Sequence, residues 1–254
     1  MQTQTLQNGM PIPVVYRICR WFSLDTVLGV IAIQLNLMQP ISWAQLANMG
    51  GLCVATSLCY MCDRFIDAIL DKGPLSHRHH LYANNQMAVI ATFMVLGSIT
   101  LVFWLHLAPQ IQWKLGGLGL GFLLHVWCLP WPQYQRLKSI TTAIIFTLVM
   151  VSISEVPISH PWARLIFLYT MFNLHIHSCM EHRHMAPAAG THIKTSIGIG
   201  LLAIGAAYQI EPWMSIAFGI GVLCHWRLLA THGDFWFEWG ELCFAWPFFW
   251  AALA

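Results

Sequence analysis

Charge is what this sequence has least of. Only 9% of its 254 residues are Asp, Glu, Lys or Arg, against about 25% in a soluble domain. So little charge cannot clothe a water-facing surface, so most of the exterior is expected to face lipid. Basic residues are scattered as well as few. The formal net charge is +2, and no patch is dense enough to follow a phosphate backbone, so nucleic acid is not an expected partner. Linkers are missing too. No Pro-, Gly- or Ser-rich stretch is long enough to divide the chain, and residues 1–254 read as one transmembrane domain. The polar segment at 1–16, MQTQTLQNGMPIPVVY, has no positive region ahead of an apolar run. It does not resemble a secretory signal, and the first helix is expected to remain as an anchor. The eight cysteines share no spacing. Cys59 and Cys62 form a CxxC inside an apolar helical run, and they read as small core residues rather than a redox or zinc pair.

Apolar residues are abundant. They make up 57% of the chain, with 13 tryptophans suited to two membrane interfaces. The apolar runs fall at Trp21–Met38, Ile41–Cys62, Met87–Ala108, Leu115–Leu129, Ile140–Ile153, Trp162–Met180, Ser196–Ile210, Trp213–Ala230 and Trp236–Ala254. Pro40, Pro74, Pro109, Pro130, Pro132, Pro157, Pro161 and Pro212 punctuate them. The pattern predicts an all-α polytopic membrane protein of about nine transmembrane helices.

Nine spans make the loops alternate between two sides. One side then carries Arg17, Arg20, Arg64, Lys72, Arg78, Arg136, Lys138, Arg183, Lys194 and Arg227; the other has Lys114 and Arg164 alone. Ten against two puts the N-terminus and the even-numbered loops on the cytoplasmic side.

The acidic residues gather on that side. Asp63, Asp67 and Asp71 recur every four residues, so on a helix they share one slowly drifting face. Like charges so placed repel unless a cation bridges them, and magnesium accepts carboxylate oxygens while keeping room for substrate phosphate. A solvated helix end, with the aspartates paired to Arg64, Lys72 and Arg78, fits the spacing equally well. Asn173, His177 and Glu181 repeat the four-residue step at the end of the sixth run. They are expected either to face the first cluster across a shared cavity or to serve as interhelical hydrogen-bonding groups. Between them lies Leu129-Pro130-Trp131-Pro132-Gln133-Tyr134-Gln135-Arg136-Leu137-Lys138. Its two basic residues suit a diphosphate held beside a metal; they also suit simple positive-inside anchors.

In this order on nine helices, the three stretches resemble the UbiA superfamily of intramembrane prenyltransferases. That family has NDxxDxxxD after the second helix, a YP-x-x-KR-like segment between the fourth and fifth, and a second aspartate-rich motif after the sixth. Asp63-Arg64-Phe65-Ile66-Asp67 resembles the end of the first motif, and Trp131-Pro132 through Arg136 and Lys138 the middle segment. Phe172-Asn173 through Glu181 stands in the second motif's place, and Lys194-Thr195-Ser196 resembles the family's entry to helix seven. Cys59-Tyr60 stands where the family has Asn-Asp, and Asn173 and Glu181 replace aspartates.

The resemblance implies a UbiA-like bundle that moves an isoprenyl group from a diphosphate donor to an acceptor. Asp63 and Asp67 would be catalytic. With Asp71, Glu181 and, for a softer ion, His177, they form the candidate metal set for Mg2+. Arg136, Lys138 and Lys194 would grip the isoprenyl diphosphate.

Histidine points elsewhere. Of 13 histidines, His77, His79, His80, His175, His177, His182, His184, His192 and His232 lie on the cytoplasmic side or in the sixth run. Imidazole suits a transition metal, or the axial position of haem or a chlorophyll-type pigment. His77-Arg78-His79-His80 reads HxHH, close to but not matching the HxxHH boxes of membrane di-iron hydroxylases. The alternative expectation is therefore a non-catalytic UbiA-fold protein. It would hold a membrane lipid, a pigment, haem or a metal through histidines, alone or as one subunit of a larger membrane complex.

Overall fold

The computed structural model describes residues 21–38, 42–70, 82, 84–131, 134, 137–181, 189–230 and 240–253, and within these it leaves the side chains of 25, 67, 70, 178–181, 189–193, 228–230 and 240–242 undescribed. The described residues form nine α-helices and no strand: α1 Leu24–Leu37, α2 Trp43–Leu70, α3 Gln86–His106, α4 Pro109–Cys128, α5 Lys138–Ile153, α6 Pro161–Glu181, α7 Ala189–Ile210, α8 Met214–Ala230 and α9 Gly240–Leu253. The described fold is all-α, and each helix overlaps one apolar run of the sequence.

Local chemistry sets several boundaries. Ser42 and Gln45 cap α2 reciprocally: Ser42 N donates to Gln45 Oε1 at 2.8 Å, and Gln45 N donates to Ser42 Oγ at 3.3 Å. Such a box satisfies two backbone donors that a helix start leaves free. α4 and α6 begin on Pro109 and Pro161, where a missing N–H costs nothing. The α3–α4 turn is clamped by Gln112, whose Nε2 reaches the carbonyls of Trp104, Leu105 and Leu107 at 3.0–3.2 Å.

α6 is the central helix, packing against α5, α7, α8 and α9. α9 returns to lie along α1, its most extensive neighbour, while α3 rests mainly on α2 and α4 mainly on α5. The main core runs through Ile33, Met150, Leu165, Ile166, Tyr169, Phe172, Phe218 and Phe248. A smaller one, around Met61, Tyr82 and Val89, lies between α2 and α3.

The bundle is apolar outside and polar at selected points inside. On α3 only Val89 is buried, and Met87, Met94, Val95, Leu101 and Leu105 all stand exposed. Gln34, Ser196 and His225 are fully buried. Gln34 is matched there: its Nε2 donates to Met150 O at 3.2 Å, and Ser154 Oγ donates to its Oε1 at 2.8 Å. Among the described residues one helix, Gln86–His106, has both the length and the composition to cross a membrane. Thr26–Leu37, Lys138–Ile153 and Cys243–Leu253 are apolar but shorter.

Candidate functional site

Two groups of polar side chains stand out, and both include residues singled out in the sequence. The first lies where α2, α4 and α5 meet. α2 continues past Cys62, so Asp63 sits on a helix rather than in a loop. Lys138 is the first residue of α5. Its Nζ is 3.4 Å from Asp63 Oδ1, with both side chains about three-quarters covered. The pair joins residues 75 positions apart, the first acidic stretch and the middle basic segment.

His125, near the end of α4, extends this group. Its ring is buried, lies beside Phe122 and meets the edge of Tyr134. Tyr134 Oη donates to Thr141 Oγ1 at 2.9 Å. His125 Nδ1 then donates to Tyr134 Oη at 2.6 Å and lies 3.1 Å from Thr141 Oγ1. Thr142 Oγ1 is 3.4 Å from Nε2. Both threonine hydroxyls also bond back to carbonyls of the first turn of α5: Thr141 to Leu137 O and Lys138 O, Thr142 to Lys138 O.

Nearby, Arg64 Nη2 donates to Tyr60 Oη at 3.0 Å, and its guanidinium lies 5.0 Å from the centre of that ring. Tyr60, standing where the resembled motif has an acid, serves as a hydrogen-bond and cation–π partner for the neighbouring arginine. Cys59 and Cys62 are free thiols.

The second group is in the main core. Asn173, of the second stretch, turns toward α8 and lies 3.0 Å from His225 Nε2. His225 Nδ1 donates to Gly221 O at 2.8 Å. With that proton on Nδ1, a neutral ring accepts at Nε2, which pairs with Asn173 when the amide nitrogen faces it. Tyr169, one turn before Asn173, donates from Oη to Cys243 O at 3.2 Å. Pro247 explains this bond. Lacking an N–H, it leaves the carbonyl four residues earlier, that of Cys243, without its helical donor. Tyr169 supplies one from another helix, as buried backbone requires. The rings of Phe172, Phe218, Phe244 and Phe248 surround Tyr169 at centroid distances of 4.9–5.9 Å. His177 is buried one turn beyond Asn173.

Of the remaining predicted residues, Lys194 is exposed near the start of α7. Arg136 and Asp71 lie outside the described residues, as do the side chains of Asp67 and Glu181 and the clusters at His77–His80 and His182–His184. α5 packs against both α2 and α6, the helices that carry Asp63 and Asn173. Among those residues no set of three or more His, Cys, Asp or Glu side chains converges as a metal site. Asp63 offers one hard oxygen donor that is partly open to solvent, a donor type that fits magnesium and not a soft ion.

Sequence reasoning missed His125, Thr141, Thr142 and His225, and quoted Tyr134 without a role. A lone histidine in an apolar run reads as core. The available signal was position: His125 lies at the end of the run that feeds the basic segment.

No protein-family model, curated protein or solved structure matches this chain.

Proposed function

We propose that the chain is an integral membrane bundle of about nine spans, UbiA-like in fold, that transfers an isoprenyl group from a diphosphate donor to an acceptor. The apolar exterior of α3, α4 and α8 supports the membrane setting. So does the distribution of exposed tryptophan: Trp127 and Trp131 lie near the Lys138 end of the bundle, and Trp43 and Trp113 at helix starts facing the other way. The ten-to-two division of basic residues along the sequence favours a cytoplasmic position for the loop that leads into Lys138.

The observation that carries the reaction is the Asp63–Lys138 pair. One acidic and one basic residue, far apart in sequence, meet at one end of an otherwise apolar bundle. Each neutralises the other in the ligand-free protein. On binding donor, Lys138 exchanges Asp63 for the diphosphate, and Asp63 would be the residue to hold a magnesium ion. Asp67 follows one helical turn later, with Asp71 and Glu181 as further oxygen donors and Arg136 and Lys194 as further diphosphate contacts. Magnesium, when bound, would offset charge on the departing diphosphate. Lys138 opposes the same charge as the allylic C1–O bond breaks.

The test is transfer of a radiolabelled C10 to C20 prenyl diphosphate in lipid nanodiscs, with and without a chelator. Chelator-sensitive turnover is expected. Asp63→Asn and Asp67→Asn should each lower it more than about 100-fold, and Asp71→Asn less. Full turnover in both severe variants would end the metal assignment.

One observation favours a second reading. Asn173, in the place of a family aspartate, is engaged by His225 inside the core. That use suits a non-catalytic bundle that keeps a pocket for a lipid, pigment or haem, or joins a larger membrane complex. A Soret band, or iron bound in the purified protein, would favour it over transfer.

A further inference from the structure

His125 belongs to no motif, yet the hydrogen bonds around Lys138 converge on it. Its Nδ1 holds Tyr134 Oη at 2.6 Å, four residues before Lys138. Its other ring nitrogen faces Thr142 Oγ1, four residues after Lys138, at 3.4 Å. Thr141 bridges the two sides, within 2.9 Å of Tyr134 Oη and 3.1 Å of Nδ1. The threonines in turn hold the Lys138 carbonyl at 2.8 and 3.0 Å. One rigid ring thus ties together the segment before Lys138 and the helical turn after it. Few side chains can do this, because imidazole presents polar atoms on two edges while its faces remain apolar. Phe122 uses such a face.

We propose that His125 is a positioning residue for diphosphate binding. It fixes the start of α5 so that the Lys138 ammonium stands beside Asp63, ready to exchange that carboxylate for the donor's diphosphate. This rests on the diphosphate reading above. His125 itself touches neither donor nor acceptor; its action passes through Tyr134 and Thr141 to the backbone of Lys138. Fixing the backbone from which Lys138 extends narrows the positions its ammonium can take, which removes part of the entropy that binding would otherwise lose.

The experiment uses the full chain in detergent micelles and magnesium pyrophosphate as the probe, with affinity read by calorimetry. His125→Phe keeps the ring volume and the Phe122 contact but removes both nitrogens. The expected result is an affinity about tenfold weaker than wild type. His125→Asn, whose amide reaches the place of Nδ1, should recover most of it. Tyr134→Phe breaks the same link from the other side and should reproduce the loss, which covers the case in which His125→Phe does not fold. Lys138→Met supplies the decisive background: there, His125→Phe should have no further effect. An equal loss with and without Lys138, or no loss in either His125→Phe or Tyr134→Phe, would overturn the proposal while leaving the diphosphate reading intact. Absence of pyrophosphate binding by the wild-type protein would overturn both.

Discussion

The junction of α2, α4 and α5 and the knot of α6, α8 and α9 solve the same problem in opposite ways. Both place polar groups inside an apolar bundle. In the knot, neutral groups meet neutral groups: Asn173 with His225, His225 with Gly221 O, Tyr169 with Cys243 O. Aromatic rings seal it, and His225 and Tyr169 have no exposed surface. At the junction a full positive charge meets a full negative one at 3.4 Å, and about a quarter of each side chain remains accessible. Neutral, sealed contacts hold helices together. A charged pair within reach of solvent can change partners.

The sharpest way to break the knot is to add volume where it has none. Gly221 lets α8 approach α6 and α9. A Cβ built there would collide with Tyr169 Oη and sit 2.8 Å from Pro247 Cγ. Neither neighbour can yield cheaply, since the Tyr169 hydroxyl is tied to Cys243 O and Pro247 is a rigid ring within α9. Gly221→Leu should therefore destabilise the folded bundle by about 3 kcal/mol or more, at the upper end of overpacking costs. Thermal unfolding in detergent measures this. A loss below about 1 kcal/mol would mean that the knot is loosely packed and that its contrast with the junction fails.

A double-mutant cycle probes the knot more gently. Asn173→Leu and His225→Leu each remove one side of the contact and leave the other side buried, whereas the double variant removes both. Coupling of about 1 kcal/mol is expected, within the range found for interhelical hydrogen bonds in membranes. Additivity would show that Asn173 and His225 are independent. The contact between α6 and α8 would then rest on the aromatic packing around Tyr169 instead.

The two regions were unequally legible in the sequence. Among the described residues each of the nine helices overlaps one apolar run, because apolar runs and proline punctuation are local signals. The discrepancies lie at the ends. α2 runs to Leu70 rather than Cys62, since aspartates four residues apart remain helical. α4 begins at Pro109 rather than Leu115, because Gln110, Gln112 and Lys114 look like loop residues until Pro109 is recognised as a helix start. Asp63 and Lys138 were legible as candidates, though their contact was not, because pairing depends on which helices become neighbours. His225 and His125 were illegible for a related reason. Each sits singly in an apolar run, and its role exists only through partners 9 to 52 residues away. Tyr169 and Pro247 show this most plainly: a proline reads as a helix breaker, yet α9 continues through it because a hydroxyl from α6 serves the carbonyl it abandons.

The smallest expected effect sharpens the comparison most. If the junction exists for exchange rather than for stability, removing its charge should hardly affect folding. Asp63 and Lys138 are partly accessible, and their 3.4 Å separation is longer than a tight charge-assisted bond of about 2.7–2.9 Å. Ion pairs that keep contact with water contribute about 0–1 kcal/mol, because desolvation and side-chain ordering offset most of the attraction. Lys138→Met keeps much of the aliphatic stem and should lower stability by less than about 1 kcal/mol. Asp63→Asn should behave likewise, since the amide still offers an oxygen to Lys138. Both follow from thermal unfolding of the ligand-free protein, in parallel with the knot variants. A loss as large as that from Gly221→Leu would make the junction a structural clamp, with Lys138 committed to Asp63 and no longer free to take a diphosphate.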